Sequence, residues 1–183
     1  NTYFMKIGII TAMSSEHKQV AQLLENKKEY CEGVYTYTEG QIKNNTVILT
    51  QSGIGKVNAA AGAVELIRNF QPDCIISTGV AGGIDRCLKV MDVVVSKQIV
   101  YHDVWCGEGN AYGQIQGMPT YFEGNHTLFD CAMSIDSGTA THGGLICSGD
   151  KFITDREELN AIKNKFPEGL AVDMESGAIA QIC

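Results

Sequence analysis

The chain has 183 residues, of which 44% are hydrophobic and 19% charged, an ordinary composition for a globular protein of one domain over residues 1–183. Its formal net charge is −7 and no Lys/Arg-rich cluster occurs, which argues against a nucleic-acid-binding protein. The sequence shows neither a secretory signal pattern nor the ~18 consecutive apolar residues of a membrane-spanning helix.

Seven cysteines are spread widely along the chain, and no two of them form a CxxC pair. An odd number at such spacings does not suggest a disulfide framework, so we expect reduced thiols in a cytoplasmic protein. A zinc ribbon is disfavoured for the same reason. The four histidines show no HxxxH or HxxEH spacing, and we therefore expect no metal site.

The first half of the chain alternates short apolar runs with helical patterns. Residues 6–11 (KIGIIT) form the continuous apolar run of a buried strand, and residues 14–26 have the spacing of a helix. Residues 33–42 alternate and residues 46–51 are apolar, which predicts antiparallel pairing. Residues 56–70 are the clearest helix. We expect its buried face to carry Val57, Ala60, Ala61, Val64 and Ile67.

The second half repeats this alternation. Buried or long strands are predicted at residues 73–79, 92–103, 142–149 and 170–175. Helices are predicted at 125–133 and 154–166, and a glycine-rich loop at 104–124. Thr154 and Glu157 predict a capping box at the start of the second of these helices. Strands that alternate with helices predict an α/β fold with a mixed, largely buried sheet.

Two glycine-rich turns invite comparison with phosphate-binding loops. The Walker pattern requires a glycine five positions before Gly55, but that position is Thr50. The segment GVAGG lacks the GxGxxG spacing of a dinucleotide-binding fold. The alternative for both is a tight turn between a strand and the next element, which the local pattern favours.

Two acidic residues follow predicted strands, at the sheet edge where ligands bind in such folds. Glu16 either complements a helix N-terminus or acts as a general base on water. Glu175 either supports the next helix or forms a structural ion pair, or it accepts two hydrogen bonds from a vicinal diol of a sugar. The tripeptide YHD at 101–103 fits a structural role better than a catalytic one.

Five segments occur in order along the chain: KIGIITAMSSE, SGIGKVNAAAGA, STGVAGGI, SGDKFI and AVDMESGAIAQ. Together they resemble the 5′-methylthioadenosine/S-adenosylhomocysteine nucleosidases of the nucleoside phosphorylase superfamily. The resemblance covers essentially the whole chain. It implies a three-layer α/β/α fold with a central mixed sheet, a homodimer, and no metal or cofactor. The implied reaction is hydrolysis of an N-glycosidic bond, releasing adenine and a 5-thioribose sugar for methionine salvage.

The resemblance also implies site residues. Glu16 would activate water against the anomeric carbon of the ribose. Met174 and Glu175 would bind the ribose, with the acid on its hydroxyl groups. Ala81 and Gly82 would form the turn beside the ribose and the water.

Four further residues would complete the pocket. Phe152 would stack on adenine, and the backbone of Ile153 would read the edge of the base. Met13 and Ile54 would line the walls of the pocket.

A purine nucleoside or uridine phosphorylase of the same superfamily is the alternative activity. Those enzymes bind phosphate through arginines on the first loop and on the strand before the GVAGG turn, and through a serine in the turn. The first loop here has no arginine, Ser77 stands at the strand position and Val80 at the serine position. Because phosphate needs charged donors, and because Glu16 would repel it, the sequence favours hydrolysis.

The chain departs from the family at three places. Val80 replaces a serine that is frequent in the nucleosidases. The 104–124 loop is shorter and lacks an aromatic residue that reaches the partner's site, for which Trp105 is a candidate replacement. In the family, a strand beyond the segment that matches Cys183 carries the aspartate that protonates adenine N7. We therefore expect the chain to be part of a longer product. The alternatives are a nucleoside-binding module without catalysis and a partner chain that supplies the acid.

Overall fold

The computed structural model describes residues 4–183, which divide into two compact units. One unit takes in the described residues up to Val80 together with Ile182 and Cys183, and the other runs from Ala81 to Gln181. Helices and mixed sheets are present in both, so the predicted α/β class is confirmed. Among the described residues, no helix has the length and apolar character needed to cross a membrane.

The first unit contains one five-stranded sheet and two helices. Its elements are β1 (Lys6–Thr11), α1 (Ser14–Ala21), β2 (Glu25–Glu32), β3 (Tyr35–Ile42), β4 (Asn45–Gln51), α2 (Lys56–Phe70) and β5 (Cys74–Ser77). The strand order is β2-β3-β4-β1-β5, with β1 parallel to both neighbours and β3 antiparallel to both of its own. The predicted first strand, the antiparallel pairing of β3 with β4 and the helix at 56–70 are confirmed.

Helices cover both faces of this sheet, because successive strand residues point to opposite sides. Ile9 of β1 belongs to an apolar cluster that includes Leu49 of β4 and Val20 of α1. Gly8 faces the other side, where an added Cβ would lie 2.8 Å from Cδ2 of Leu66 in α2. This unit therefore has the helix–sheet–helix layering that the sequence predicts.

Helix α1 is shorter than predicted, because the chain leaves it after Ala21 and forms the edge strand β2. Asn26 has a left-handed φ of 52°, which a continuing helix does not allow, and Leu24 is buried against the sheet. Every residue of β2 is exposed. Its pairing with β3 decides the structure here, and a local helical pattern does not reveal such pairing.

The buried face of α2 differs from the predicted one. Its buried residues are Ala59, Gly62, Ala63 and Leu66. Val57, expected inside, is 79% exposed. The prediction was wrong because small residues lie on both sides of the helix, so the spacing of apolar residues alone did not show which side is buried. Strand β5, predicted as buried, is instead the edge of the sheet, and Ile76 in it is 36% exposed.

The second unit contains another five-stranded sheet. Its elements are β6 (Gly82–Gly83), β7 (Val93–Tyr101), β8 (Tyr121–Glu123), α3 (His126–Met133), β9 (Thr141–Ser148), α4 (Arg156–Lys165), β10 (Gly169–Asp173) and α5 (Ser176–Ile182). The order is β6-β10-β9-β7-β8. The three central strands are parallel, and β6 and β8 lie antiparallel at the two edges.

Neighbouring residues of β9 show that helices also lie on both faces of the second sheet. Cys147 belongs to an apolar cluster with Ile162 and Phe166 from the segment of α4. Ser148 faces the opposite way, since a Cβ added at Gly177 of α5 would lie 3.0 Å from its Cβ. The ends of the parallel strands are thus fixed between two helices. The segments predicted to bind the ligand come next in the chain, after β9 and after β10.

Two local predictions in this unit were wrong. The 104–124 segment, expected to be loop throughout, contains the short strand β8, whose pairing with β7 is non-local. Helix α4 begins at Arg156, and its cap is Asp155, not Thr154: Oδ1 of Asp155 accepts a hydrogen bond from the N–H of Glu157 at 2.6 Å. An aspartate satisfies the same free N–H groups as the predicted threonine, so composition alone did not fix the boundary.

Candidate functional site

Glu16 is the third residue of α1, and three backbone N–H groups hold its carboxylate. Oε2 accepts hydrogen bonds from Ala12 at 3.1 Å and from Met13 at 2.9 Å. Oε1 accepts one from Val80, in the turn after β5, at 3.0 Å. The bond from Met13 is the half of a capping box in which a glutamate binds the N–H of the N-cap residue. The helix-terminal role and the fixed carboxylate are therefore one arrangement.

These hydrogen bonds leave Glu16 the capacity to bind one more group. An ionised carboxylate has about four lone-pair sites, and the three N–H groups occupy three of them. The remaining site is on Oε1, which has a single donor. The residue is half-buried. A water molecule can therefore donate to Oε1, which is the contact that a general base requires.

Gly79 packs directly against this carboxylate. A Cβ added at Gly79 would lie 2.6 Å from Oε1 and 2.9 Å from Cδ of Glu16, closer than real Cβ atoms approach other atoms. Sequence reasoning missed both Gly79 and the N–H of Val80, because each acts through a tertiary contact of the backbone. The one local sign is a glycine at the end of a strand pattern, where backbone commonly approaches another group closely.

Met13 and Ile54 are the other predicted site residues of the first unit. Met13 is half-buried, and its N–H joins it to Glu16. Ile54 lies in the turn before α2 and is 51% exposed. Its carbonyl accepts a hydrogen bond from the side chain of Asn58 at 2.7 Å, within its own segment. The structure therefore joins Met13 to Glu16 and places Ile54 in a separate turn.

Ala81 and Gly82 open the second unit and are exposed. Gly82 pairs with Val172 of β10 in an antiparallel register, and a Cβ at Gly82 would lie 3.0 Å from Cγ2 of Val172. Continuing this register places Ala81 beside the carboxyl end of β10. The turn is therefore next to the segment that carries Met174 and Glu175.

Met174 and Glu175 connect β10 to α5 and are half-buried. Asp173 stabilises the start of the helix: its Oδ2 accepts from the N–H of Ser176 at 2.9 Å and its Oδ1 from the hydroxyl of Ser176 at 2.8 Å. Asp173 therefore supports the start of α5 from the same strand end that carries Glu175. Glu175 contributes its backbone carbonyl to the helix, accepting from Ile179 at 3.1 Å.

Phe152 and Ile153 lie in an irregular segment between β9 and α4. Phe152 is 81% exposed, so its ring presents a face that another aromatic group can cover. The side chain of Ile153 instead packs against the apolar cluster around Cys147. Within the described residues, the N–H and carbonyl of Ile153 make no backbone hydrogen bond. An exposed aromatic ring is thus followed by a residue whose side chain is packed and whose backbone is not part of a helix or strand.

An ion pair holds the chain after β6. Nζ of Lys163 in α4 donates to Oδ2 of Asp85 and, at 2.9 Å, to the carbonyl of Gly169. The N–H of Cys87 donates to Oδ1 of Asp85 at 2.9 Å. Hydrogen bonds from Lys163 and then from Cys87 hold the pKa of the Asp85 carboxyl well below its usual range. Sequence reasoning did not identify this pair, whose members are far apart in the chain.

Trp105, the candidate replacement for the family's loop aromatic, packs on its own loop. Its ring stacks on Tyr112, with centroids 6.4 Å apart and planes 23° apart, and the residue is 57% exposed. Nζ of Lys165 lies 3.4 Å from the centroid of the Tyr112 ring. Contact of Trp105 with a partner's site remains a prediction.

Across residues 4–183, no three His, Cys, Asp or Glu side chains come together as a group that could hold a metal ion. His142 instead pairs with Asp92, with 3.0 Å between Nε2 and Oδ2.

Two cavities lie outside the predicted site residues. The cavity in the first unit, of about 560 Å³, is lined by His17, Lys18, Ala21, Gln22, Lys27, Glu29 and Thr38. The cavity in the second unit, of about 360 Å³, is lined by Lys97, Gln98, Gly143, Gly144, Leu145, Glu168 and Leu170. The candidate residues are therefore identified by their chemistry and hydrogen bonding.

Comparison with known proteins relates this arrangement to a family. The model of the phosphorylase superfamily matches residues 6–183. A 5′-methylthioadenosine/S-adenosylhomocysteine nucleosidase of Actinobacillus succinogenes is 43% identical over 182 residues, which is 98% of this chain and 79% of that protein. The nucleosidase of Lysinibacillus sphaericus is 39% identical over 183 residues, covering 98% of this chain and 80% of the relative.

Solved structures agree in fold as well as in sequence. The nucleosidase of Colwellia psychrerythraea, in complex with adenine, superposes with a TM-score of 0.94 at 39% identity, covering 99% of this chain and 77% of that one. The Neisseria meningitidis enzyme, in complex with methylthio-immucillin-A, gives 0.93 at 38% identity, covering 98% and 80%. The chain therefore belongs to the phosphorylase superfamily and, within it, to the 5′-methylthioadenosine/S-adenosylhomocysteine nucleosidases.

Proposed function

We propose that this protein hydrolyses the N-glycosidic bond of 5′-methylthioadenosine and S-adenosylhomocysteine, releasing adenine and a 5-thioribose sugar, as a step of methionine salvage. Relatives about 40% identical over nearly the whole chain carry the name of this activity. The Colwellia relative binds adenine, and a Streptococcus pneumoniae relative binds a transition-state inhibitor.

The observation that carries the proposal is the fixed carboxylate of Glu16. As adenine leaves, the sugar becomes oxocarbenium-like, and a water molecule attacks its anomeric carbon. Glu16 accepts a proton from that water through Oε1, where one lone-pair site remains beside the N–H of Val80. Three backbone donors hold the carboxylate, so little reorganisation is needed when the reaction occurs.

The remaining roles belong to residues of the second unit. Glu175 accepts hydrogen bonds from the ribose hydroxyls, with Met174 beside the sugar. Asp173, two residues earlier, fixes the start of α5 through its two hydrogen bonds from Ser176. Phe152 stacks on adenine with its exposed ring, and the backbone of Ile153 reads the edge of the base. Ala81 and Gly82 line the ribose side of the turn. Such positioning of a substrate can contribute several kcal/mol.

The same hydrogen bonds argue against a phosphorylase. Phosphate binding needs donors that are free to reach an anion. The N–H groups of Ala12, Met13 and Val80 already donate to the Glu16 carboxylate. The first loop adds no arginine, and Ser77 stands where a phosphorylase has one. A dianion at this place would meet a carboxylate and no free cation of the first loop.

A nucleoside-binding module without catalysis is the second candidate. That candidate binds the nucleoside through the same residues but has no general acid to protonate the leaving adenine. General acid catalysis commonly contributes about 10²–10⁴-fold, so binding and turnover separate the two candidates.

The experiment is an adenine-release assay on the purified full-length protein. Methylthioadenosine is incubated with and without phosphate, and free adenine is measured. We expect phosphate-independent release. Phosphate dependence would contradict the hydrolase, and binding without any release would favour the binding module.

Glu16→Gln tests the catalytic role within the same assay. We expect turnover to fall by about 10²–10⁴-fold while nucleoside binding is largely kept. Glu65→Gln is the matched control, because Glu65 lies on α2 and forms an exposed pair with Arg68. Turnover that survives in Glu16→Gln would show that the base is another group.

We also propose that the protein is a cytoplasmic homodimer. Val57 is 79% exposed, and with the exposed Ala61 it gives α2 an apolar outer face. Ile54, in the turn before α2, is 51% exposed and extends this apolar surface. The seven cysteines are unpaired, in keeping with a reducing compartment. Light scattering should give a dimer mass for the native protein and a monomer mass for Val57→Glu. An unchanged dimer would place the interface elsewhere.

A further inference from the structure

The tripeptide Tyr101–Asp103, at the end of β7, contacts the segment that leads to Phe152. Oδ2 of Asp103 accepts a hydrogen bond from the N–H of Asp150 at 2.8 Å. Gly149 fits tightly between these residues, since a Cβ there would lie 2.5 Å from Nε2 of His102 and 2.9 Å from Cγ of Asp103. The start of the segment is therefore fixed by a side chain from a different strand.

The same tripeptide contacts the helix that follows Glu175. The hydroxyl of Tyr101 donates to Oε1 of Gln181 in α5 at 2.8 Å. Its ring lies against Gly177, where a Cβ would come within 2.5 Å of Cε1 of Tyr101. Tyr101 is only 2% exposed. Burial raises its pKa to about 12, so the phenol keeps its proton and remains a donor throughout the neutral range.

Backbone hydrogen bonds join these two contacts into one frame. The N–H of His102 donates to the carbonyl of Ser148 at 2.9 Å, and the N–H of Gly149 donates to the carbonyl of Asp173 at 3.0 Å. The ends of β7, β9 and β10 are therefore locked together at the level where the two ligand-binding segments leave the sheet.

Phe152 depends on this frame more than a packed residue would. Its ring is 81% exposed, and the segment around it has no regular secondary structure. Few contacts of its own fix the ring, so its place is set by the chain on either side. Before Phe152, the N–H of Asp150 is bound to Asp103, and directly after it the side chain of Ile153 is packed.

We propose that Asp103 and Tyr101 are positioning residues that set the adenine-stacking ring of Phe152 and the ribose carboxylate of Glu175 at a fixed separation. The inference rests on the function proposed above, because it takes Phe152 and Glu175 to bind the two halves of one nucleoside. Asp103 acts on the base half through Asp150, and Tyr101 acts on the sugar half through α5. Neither residue need touch the substrate.

The two residues should therefore give different signatures in the full-length protein. Asp103→Ala is expected to weaken the binding of free adenine about tenfold, as for the loss of a hydrogen bond to a charged group. It should raise KM more than it lowers kcat. Asp103→Asn keeps an acceptor oxygen and should restore adenine binding. Tyr101→Phe keeps the ring, and should leave adenine binding unchanged while lowering kcat/KM for the nucleoside about tenfold.

Asp73→Ala is the matched control. Its carboxylate also accepts a backbone N–H from a distant part of the chain, that of Lys6 at 2.7 Å, but far from the second-unit segments in sequence. It should leave adenine affinity and KM unchanged. Calorimetric titration with adenine, steady-state kinetics and thermal melting are measured for every variant.

The results decide the inference separately from the function. If wild type releases adenine while Asp103→Ala keeps wild-type adenine affinity and KM, the inference is wrong and the proposed function stands. If Asp103→Ala does not fold, an unchanged kcat/KM in Tyr101→Phe overturns the inference by itself. If wild type neither binds nor releases adenine, the proposed function and the inference fail together.

Discussion

Gly79 allows a direct test of the Glu16 geometry, because it can be changed without touching the carboxylate chemically. In Gly79→Ala the new Cβ would lie 2.6 Å from Oε1, and an ordinary contact begins at 3.4 Å. The carboxylate must therefore retreat by roughly 0.8 Å. Since Val80 is the next residue, this movement also lengthens its 3.0 Å hydrogen bond to Oε1.

Two estimates of the consequence agree. Losing one hydrogen bond to a charged group corresponds to about 1.5–3 kcal/mol, or roughly 10–150-fold in rate. A misplacement of about 1 Å of a catalytic group can cost about 10²-fold. We expect Gly79→Ala to lower kcat for adenine release by about 10- to 100-fold. Adenine affinity should stay near that of wild type, because the proposed base-binding residues lie elsewhere.

Gly83→Ala is the matched control in the same glycine-rich turn, since its Cβ would meet Leu88 at an ordinary 3.5 Å. We expect it to keep most of the wild-type kcat. In the double variant with Glu16→Gln, Gly79→Ala should add little further loss, because both changes act through one carboxylate. A Gly79→Ala enzyme with wild-type kcat, or one whose effect adds fully to Glu16→Gln, would refute the assigned geometry.

Other consequences of the structure can be measured on stability and reactivity. The pKa of Asp85 is depressed by Lys163, so the pair stabilises the fold above the usual carboxyl pKa of about 4 and loses this contribution as the pH falls through the folded-state value. Asp85→Asn should therefore lower the urea midpoint at pH 7, and the difference in midpoint between variant and wild type should be smaller at pH 3. An equal difference at both pH values would contradict the stabilising role of the pair. Leu66→Ala, at a fully buried position of α2, should cost about 2–5 kcal/mol, whereas Val57→Ala should cost under about 0.5 kcal/mol in the monomer; denaturant titration distinguishes this face from its opposite. Burial raises the pKa of the Cys147 thiol to about 12. A thiol reagent at pH 8 should therefore leave Cys147 unlabelled in the native protein and label it in the unfolded protein. Rapid labelling of Cys147 in the native state would show that the core around β9 opens.

The sequence predicts well those elements whose local pattern and tertiary environment agree. The bounds of α2 at Lys56–Phe70 and β1 at Lys6–Thr11 match the structure, because glycines and polar turns mark their ends. Strand β2 could not be found in this way. Its eight residues are all exposed, and only pairing with β3 makes them a strand.

The candidate site shows the same division. Glu16 and Glu175 could be proposed because each acid follows a predicted strand, and ligands in α/β folds bind beyond the carboxyl ends of strands. What holds Glu16 could not be derived, since Val80 contributes an N–H that every residue except proline has. The helix-supporting role of Asp173 was likewise hidden, because it and Glu175 are both acids at the same strand end.

The backbone-only support of Glu16 has an evolutionary consequence. Ala12, Met13 and Val80 hold the acid through amide groups, so their side chains can be exchanged without moving it. A valine at position 80 in place of a serine therefore changes the lining of the turn and not the placement of the Glu16 carboxylate. Under the proposed function, the walls of the pocket can thus change in evolution while the proposed proton acceptor stays in place. Only proline, which has no N–H to give, should be forbidden at all three places.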